Sequence, residues 1–213
     1  MPRLGCINLH PSLLPKYRGA SPIHAALLNG DQETGVSVIK MVQKMDAGDI
    51  LGQKRMSISI NMNFEELETK LCLLGQELLL EVMAQLQLGL TKAKEQKESD
   101  ASYVKKVDSS LAQIDWKEPA NVLHNRVRAF SQKPGAWCCV KVKGQIKRLK
   151  IFLSSFREET TAAAKSTVAY GNGQWMIACS AGSLTLLEVQ LEGKKRLQIE
   201  DFIRGNKSPP LVI

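Results

Sequence analysis

The 213-residue sequence lacks several features that mark special classes of protein. It has no run of about 18 uncharged apolar residues, so no transmembrane helix and no membrane partner are expected. Its five cysteines show no C-x-x-C spacing, which argues against zinc and dithiol redox sites and favours a reducing compartment. Its first residues turn strand-like too soon for a signal or transit peptide. With 44% hydrophobic and 23% charged residues, it is typical of a soluble globular protein.

Positive charge is concentrated in the second half of the chain. The net charge is +8, with 13 basic and 13 acidic residues in 1–112 but 16 basic and 8 acidic residues in 113–213. A neutral half joined to a basic half is typical of an enzyme domain followed by a module that binds a polyanion. A basic surface that only confers solubility has the same composition. Charge alone leaves both interpretations open.

The first 90 residues predict an α/β domain. Apolar runs and turn residues predict strands over Leu4–His10, Thr34–Met41 and Asp49–Ile58, and helices starting at Ser21 and at Asn63. The second helix carries an apolar stripe and a capping-box pattern of Asn63 with Glu66. Asn29–Gly30 and Gly89 are expected to end the two helices.

A polar segment separates this domain from a second one. Residues 91–112 are poor in apolar side chains, so we predict a surface linker there. Residues 113–213 then predict a short helix and several short strands between glycines, including a hairpin around Gly144. Evenly spaced short strands favour a small, OB-like β-barrel.

Three polar residues near the start form a candidate catalytic group. Asn8 and His10 are two apart on a predicted strand, so they face the same side just before Pro11 ends the strand. Asp46 follows a neighbouring strand, and its loop is expected to bring the carboxylate near His10. Amide and imidazole donors beside a proton-accepting carboxylate suit acyl transfer to an amine, because the tetrahedral oxyanion needs donors and the amine must lose a proton. This chemistry requires no metal.

Each residue also has a structural explanation. An isolated Asn-x-His is more often a buried, hydrogen-bonded pair or a loop-capping amide than a catalytic site, and an isolated aspartate is less specific still. The surrounding residues therefore decide how the three are interpreted.

The segment Asn8-Leu9-His10-Pro11-Ser12-Leu13-Leu14-Pro15, with Gly19 four residues later, resembles the signature of formyltransferases that use 10-formyltetrahydrofolate. The resemblance implies that 10-formyltetrahydrofolate is the formyl donor and that no metal takes part. It places the family's catalytic residues at Asn8, His10 and Asp46. It also implies a loop bordering the substrate and folate site, formed by Ser12, Leu13, Leu14, Pro15, Arg18 and Gly19.

The second half is similar to the C-terminal domain of the methionyl-tRNA formyltransferases. The matching motifs are Ala101-Ser102-Tyr103, Ile114-Asp115-Trp116, Arg128-Ala129-Phe130, Pro134-Gly135-Ala136, Gly193-Lys194-Lys195-Arg196-Leu197 and Asp201-Phe202-Ile203-Arg204-Gly205. The resemblance implies formylation of the methionine on initiator methionyl-tRNA for translation initiation. Basic residues on the predicted hairpin are the candidate tRNA contacts: Lys141, Lys143, Lys147, Arg148 and Lys150. A solvated basic hairpin remains the alternative.

Family members carry a Rossmann-like half before the signature, and we expect this chain to lack it. The predicted fold is therefore a truncated Rossmann-like domain (1–90), a linker (91–112) and a β-barrel domain (113–213). A parallel-type sheet with an unpaired edge and poor stability are expected. Two alternatives remain: an impaired fragment that only binds tRNA, and a formyltransferase for a small amine. We expect a monomer in the mitochondrial matrix of a eukaryote or the cytoplasm of a bacterium.

Overall fold

The computed structural model describes residue 2, residues 4–159 and residues 162–213. Its contacts divide the chain into two compact units, one of residues 1–26 and 31–107 and one of residues 27–30 and 108–213. The helices are α1 (Pro22–Leu28), α2 (Phe64–Gln87), α3 (Ala120–Ala129) and α4 (Ile199–Gly205). The strands are β1 (Ile7–His10), β2 (Arg18–Gly19), β3 (Glu33–Lys40), β4 (Ile50–Ser57), β5 (Tyr103–Val104), β6 (Ala136–Val142), β7 (Gln145–Arg157), β8 (Thr167–Gly171), β9 (Gln174–Ala178), β10 (Ser183–Leu191), β11 (Arg196–Gln198) and β12 (Leu211–Val212).

The sheet of the first unit has the order β1-β3-β4. Both pairs are antiparallel, with Leu9 opposite Val38 and Val38 opposite Gly52. The prediction of a parallel-type sheet is therefore wrong for these strands. The short connection between β3 and β4 explains their direction, because a parallel pair needs a long crossover. The α/β class itself is confirmed.

Helix α2 covers one face of this sheet. Its start is capped as predicted: the Asn63 side chain accepts the Glu66 N–H at 3.0 Å, and the Glu66 carboxylate accepts the Asn63 N–H at 3.1 Å. The buried stripe of the helix consists of Leu67, Leu71, Gly75, Leu78 and Val82. A Cβ on Gly75 would lie 2.7 Å from Leu9 Cδ2, so glycine lets the helix approach β1 closely. Leu9 therefore faces α2.

The first unit also contains residues 94–104, which we call the strap. Lys94 exchanges backbone hydrogen bonds with Ile50, and Tyr103 and Val104 (β5) pair in parallel with Arg18 and Gly19 (β2). This differs from the expectation for 91–112, which was a linker crossing the surface. The strap packs against the rest of the first unit through hydrogen bonds and not through apolar side chains. Its polar composition therefore resembles that of an exposed linker.

The second unit is built on an antiparallel sheet. Its order is β12-β6-β7-β10-β9-β8, and β11 adds to β10. The sheet curls as a half-barrel, which is the form that the predicted small barrel takes. The β6–β7 hairpin turns at Lys143 and Gly144, both with positive φ, as a tight two-residue turn requires. Among the described residues, no helix has the length and apolarity needed to cross a membrane.

Candidate active site

Strand β1 presents Asn8 and His10 on the face turned away from α2. Their positions alternate with Leu9, which packs against Gly75 of that helix. His10 lies opposite Ser37 on β3, and Asn8 lies opposite Ile39. His10 is only 4% exposed, whereas Asn8 is partly exposed. The amide and the imidazole therefore project to the same side of the sheet, about 7 Å apart along the strand.

Both ring nitrogens of His10 face defined groups. Nε2 lies 3.0 Å from the backbone carbonyl oxygen of Tyr17, and Nδ1 lies 3.7 Å from Oδ2 of Asp46. A carbonyl oxygen only accepts, so Nε2 carries a proton and donates it to Tyr17. Nδ1 is then the nitrogen available for chemistry. It presents a lone pair when the ring is neutral and an N–H when the ring is protonated.

Asp46 is held in a tight loop between β3 and β4. Its backbone has a φ of 49°, and its carboxylate accepts the Gly19 N–H at 2.8 Å. Gly48 passes so close to Lys40 that a Cβ there would lie 1.7 Å from the Lys40 carbonyl oxygen. The loop therefore requires glycine at position 48. The proximity of Asp46 to His10 expected from its loop is observed.

The loop after β1 is fixed by hydrogen bonds to β3 and β4. Ser12 Oγ donates to the Lys16 carbonyl at 2.6 Å. Ser37 Oγ donates to the Ser12 carbonyl at 2.6 Å and accepts the Leu14 N–H at 3.1 Å. Gln53 donates to the Leu14 carbonyl at 3.1 Å and to Ser37 Oγ at 2.8 Å. The main chain of this loop is thus held beside His10 by side-chain hydrogen bonds from Ser12, Ser37 and Gln53.

A cavity of about 530 Å³ lies along the same loop. Leu13, Leu14 and Pro15 line one side of it, and Gln53 and Arg55 of β4 also border it. The cavity has both apolar and charged walls. Three residues predicted to border a substrate or folate site therefore line a cavity, while their role in binding remains a prediction.

Arg18 differs from the other predicted loop residues. Its side chain was expected to border the substrate or folate site, but the residue is only 1% exposed. Nε and Nη2 donate to Oε1 of Gln96 at 3.1 and 2.9 Å, and Nη1 donates to Glu98 and to the Tyr103 hydroxyl, both at 2.9 Å. The guanidinium therefore binds the strap, not open solvent.

Glu98 is the charged partner at the outer end of this network. Hydrogen bonds from Lys44 and Arg18 lower the pKa of the Glu98 carboxyl to about 2. The Lys44 ammonium donates to it at 2.5 Å. Because Lys44 belongs to the Asp46 loop and Arg18 to β2, the carboxylate connects both segments to the strap.

Sequence patterns missed the residues that support the site. Gln96 lies in a run of lysine and glutamate that is typical of a linker, and Ser37 and Gln53 lie on strands whose apolar neighbours dominate the pattern. Tyr17 contributes a backbone carbonyl, which no side-chain motif can reveal. Ser37 and Gln53 lie opposite one another on β3 and β4, but this pairing is visible only in the structure.

The basic residues of the β6–β7 hairpin divide between two faces. Lys150 lies opposite Trp137 and Arg148 opposite Cys139, on the same face as Lys141. Lys147 lies opposite Val140, on the face that carries the buried core residues Leu149 and Ile151. Lys143 occupies the turn. The structure therefore places Lys147 on the face opposite that of Lys141, Arg148 and Lys150, since neighbours on a strand point to opposite faces, and the part of each residue in RNA binding stays a prediction.

The exposed face of the hairpin combines charge with an aromatic ring. The Arg148 guanidinium lies 4.2 Å from the centre of the Trp137 ring, within the range of a cation–π contact. Arg148 and Lys150 also border a groove of about 500 Å³ with Gln190 and Glu192. We call Lys141, Arg148, Lys150 and Trp137 the basic face. A positively charged face with a stacking ring has the chemistry that contacts nucleic acid.

Comparison with known proteins gives matches along most of the chain. The family described as "Formyl transferase" matches residues 1–83, and "Formyl transferase, C-terminal domain" matches residues 106–207. A methionyl-tRNA formyltransferase of Protochlamydia amoebophila is 42% identical over 96% of this chain and 64% of its own length. One of Rhodopseudomonas palustris is 38% identical over all of this chain and 67% of its own length. The chain thus spans about two thirds of the length of these curated relatives.

A solved structure shows the same fold. It is an N-formyltransferase from Helicobacter canadensis in complex with folinic acid and dTDP-3-aminofucose, with a TM-score of 0.69 and 22% identity. The match covers 84% of this chain and 65% of that protein. At this identity the likeness concerns the fold alone.

Proposed function

Because the chain belongs to the formyltransferase family, we propose that it transfers a formyl group from 10-formyltetrahydrofolate to the amino group of methionine on initiator methionyl-tRNA. The observation that carries the proposal is the 3.7 Å approach of His10 Nδ1 to the Asp46 carboxylate, next to Asn8 on β1. The relatives named above supply the substrate class, since both are methionyl-tRNA formyltransferases.

The residues present fit a formyl donor. When bound, 10-formyltetrahydrofolate supplies an activated formyl carbon whose oxygen becomes negative as the amine attacks. Asn8 offers an amide N–H, and a protonated His10 offers Nδ1–H, on one side of β1. Donors placed where negative charge develops stabilise the transition state. The donor set of the site therefore matches the charge that this reaction creates.

Asp46 is the group that can take the proton. The amine attacks the formyl carbon as a neutral nucleophile and must lose a proton as the new C–N bond forms. The bond between the formyl carbon and N10 of the folate then breaks, and N10 takes up a proton as tetrahydrofolate leaves. The Asp46 carboxylate accepts from the Gly19 N–H through Oδ2 and lies near His10 Nδ1, so it can accept a proton from the amine directly or through water. His10 and Asp46 thus divide the work between oxyanion stabilisation and proton acceptance.

The second unit is proposed to hold the tRNA. The whole positive excess of the chain lies in residues 113–213, and the basic face concentrates part of it beside Trp137. Lys141, Arg148 and Lys150 are the proposed phosphate contacts, Lys143 is one at the turn, and Lys147 is assigned a smaller part. Salt-sensitive binding is the property that separates this proposal from a merely solvated surface.

The biological setting follows from this substrate. We propose a role in translation initiation, in the mitochondrial matrix if the source is a eukaryote and in the bacterial cytoplasm otherwise. We also propose that the chain acts as a monomer. Sedimentation equilibrium tests the oligomeric state, and fluorescent tagging of the natural gene product tests the compartment.

The decisive experiment is a formylation assay on charged initiator tRNA with 10-formyltetrahydrofolate. We expect formyl-methionine to accumulate with the natural chain and the rate to fall about a hundredfold to a thousandfold in His10→Ala. Binding of tRNA without folate binding or turnover would replace the proposal with that of a tRNA-binding protein. Turnover on a small amine with no salt-sensitive RNA binding would replace methionyl-tRNA with a small substrate.

A further inference from the structure

We propose that Gln96 is a positioning residue for Asp46, and that its side-chain amide sets the loop that presents the proposed catalytic carboxylate. The role in catalysis rests on the proposed function, whereas the positioning itself does not. Gln96 lies in the strap, between the two segments that the family comparisons match, residues 1–83 and 106–207.

Gln96 has a buried side chain with every polar group engaged. It is 8% exposed. Its Nε2 donates to the backbone carbonyls of Asp46 at 2.8 Å and Gly48 at 2.7 Å. Its Oε1 accepts from two nitrogens of Arg18, Nε at 3.1 Å and Nη2 at 2.9 Å. A side-chain amide has two donors and two acceptor sites, so its hydrogen-bonding capacity is filled.

These bonds form a closed circuit around Asp46. Gln96 holds the carbonyl of Asp46, while the N–H of Gly19 holds its carboxylate at 2.8 Å. Gly19 directly follows Arg18, which is bound to Gln96. The same set of hydrogen bonds therefore positions both the main chain and the side chain of Asp46. Asp46 has a φ of 49°, a left-handed conformation that is uncommon for residues other than glycine although aspartate tolerates it better than most, and the circuit stabilises it.

The circuit needs a neutral amide at position 96. The two carbonyls require donors, and the guanidinium requires an acceptor. Glutamate would keep the acceptor and form an ion pair with Arg18, but it would turn an acceptor oxygen towards the carbonyls of Asp46 and Gly48. Gln96→Glu therefore preserves the link between strap and Arg18 while it breaks the link to the Asp46 loop.

The strap has other bonds that report whether it stays in place. The Arg18 N–H donates to the Ser102 carbonyl at 2.8 Å, and the Ala20 N–H donates to the Val104 carbonyl at 3.1 Å. The Gly19 N–H between them donates to the Asp46 carboxylate. Hydrogen exchange at three consecutive amides therefore separates movement of the Asp46 loop from detachment of the strap.

The test compares Gln96→Glu with Gln85→Glu in the full chain. Gln85 is exposed on α2, so it provides the same change of charge away from the site. Exchange at individual amides is followed by NMR, and Asp46→Ala marks complete loss of protection at Gly19. We expect Gln96→Glu to lower protection of the Gly19 amide at least about tenfold, with Arg18 and Ala20 unchanged. We expect kcat to fall about a hundredfold with little change in KM for tRNA.

Three results overturn the proposal. They are unchanged Gly19 protection in Gln96→Glu, parallel loss of protection at all three amides, and equal effects of Gln96→Glu and Gln85→Glu. If Gln96→Glu does not fold, Gln96→Asn replaces it, since its amide is one methylene shorter and cannot span from Arg18 to both carbonyls. A natural chain without formylation activity would refute the proposed function, while the Gly19 amide would still decide the role of Gln96.

Discussion

His10 donates its Nε2 proton to the backbone carbonyl of Tyr17 at 3.0 Å, which turns Nδ1 towards Asp46. Tyr17 has a φ of 61°, and its hydroxyl donates to Asp31 at 2.7 Å. The left-handed backbone of Tyr17 and the hydrogen bond of its side chain therefore fix the direction of the Tyr17 carbonyl. The loop thus determines which ring nitrogen of neutral His10 carries the proton, because the Tyr17 carbonyl accepts only from a protonated Nε2.

The charge of Asp46 is expected to be essential for turnover. Asp46→Asn retains an oxygen that can accept the Gly19 N–H, so the loop keeps its support, but the proton acceptor is lost. We predict a fall in kcat of about a hundredfold to ten-thousandfold in the formylation assay. Glu68→Gln is the control because Glu68 is exposed on α2 and does not line the cavity beside the site. A rate within about threefold of the natural chain would contradict proton acceptance by Asp46.

Gly19→Ala is expected to destabilise the first unit. Gly19 has a φ of 114°, and an added Cβ would lie 2.2 Å from the Val104 carbonyl oxygen. Gly89→Ala is the matched control, since Gly89 also has a positive φ but no heavy atom within 4 Å of an added Cβ. Urea unfolding should show a loss of about 1 kcal/mol for Gly89→Ala and a clearly larger loss for Gly19→Ala. Equal losses would mean that the strap moves aside freely.

Adjacent cations on β7 should differ in their effect on tRNA binding. Arg148 lies on the basic face and Lys147 on the opposite face, so Arg148→Ala and Lys147→Ala remove the same charge at neighbouring positions. We predict that Arg148→Ala reduces the slope of log K against log salt by about 0.7 to 0.9, whereas Lys147→Ala changes it less. Fluorescence anisotropy over a series of salt concentrations measures both slopes. Identical salt slopes for Arg148→Ala and Lys147→Ala would show that the basic face is not the surface that binds RNA.

The Glu98 network should weaken in acid. The pKa of Glu98 is about 2 in the folded protein, below its usual value of 4.5, because Lys44 and Arg18 donate to the charged form. Its contribution to stability is therefore complete above the usual value and is lost as the pH falls towards about 2. We predict that Glu98→Gln is less stable than the natural chain at about pH 6 and that the difference shrinks at about pH 3.

Urea unfolding of both proteins at the two pH values measures this difference. Glu68→Gln on the exposed side of α2 controls for the general loss of a carboxylate. A difference that grew on acidification would contradict the assignment. High salt should reduce the effect, because Glu98 is more than half exposed and solvent ions screen the pair.

Thiol reactivity should separate the cysteines by burial. Burial raises the pKa of Cys138 to about 12 and that of Cys179 to about 11. At about pH 8 these thiols hold almost no reactive thiolate. Cys6 and Cys72 are exposed. We predict that iodoacetamide labels the exposed pair first and the buried pair only after unfolding, as mass spectrometry of the peptides would show. Early labelling of Cys138 would reveal that the half-barrel opens.

Local chemistry made part of the structure predictable. The cap of α2 depends on Asn63 and Glu66, three residues apart, and the β6–β7 turn depends on Gly144. The strand that carries Asn8 and His10 is likewise predicted from neighbouring residues, namely an apolar run that Pro11 ends. Each of these features is decided by a few neighbouring residues, so a sequence pattern suffices.

Long-range partners could not be predicted in the same way. Gln96 reaches carbonyls that lie 48 and 50 positions earlier, and nothing in its neighbourhood of lysine and glutamate distinguishes it from a solvated side chain. The direction of the β1–β3 pair was missed for a related reason, because apolar strands look alike in parallel and antiparallel sheets. The alternation of side chains that separates Lys147 from Arg148 follows from the pairing register, which the sequence leaves undetermined.

The strap has a practical consequence for dissecting the polypeptide. A fragment excised at residue 83, where the first family match stops, would strip Arg18 of its three side-chain acceptors and leave a buried cation uncompensated. Extending the fragment to residue 107 retains those acceptors together with the parallel ladder on β2. A fragment that carries His10 and Asp46 and keeps these contacts therefore ends well beyond the boundary of the family match, inside what composition suggests is a disposable spacer.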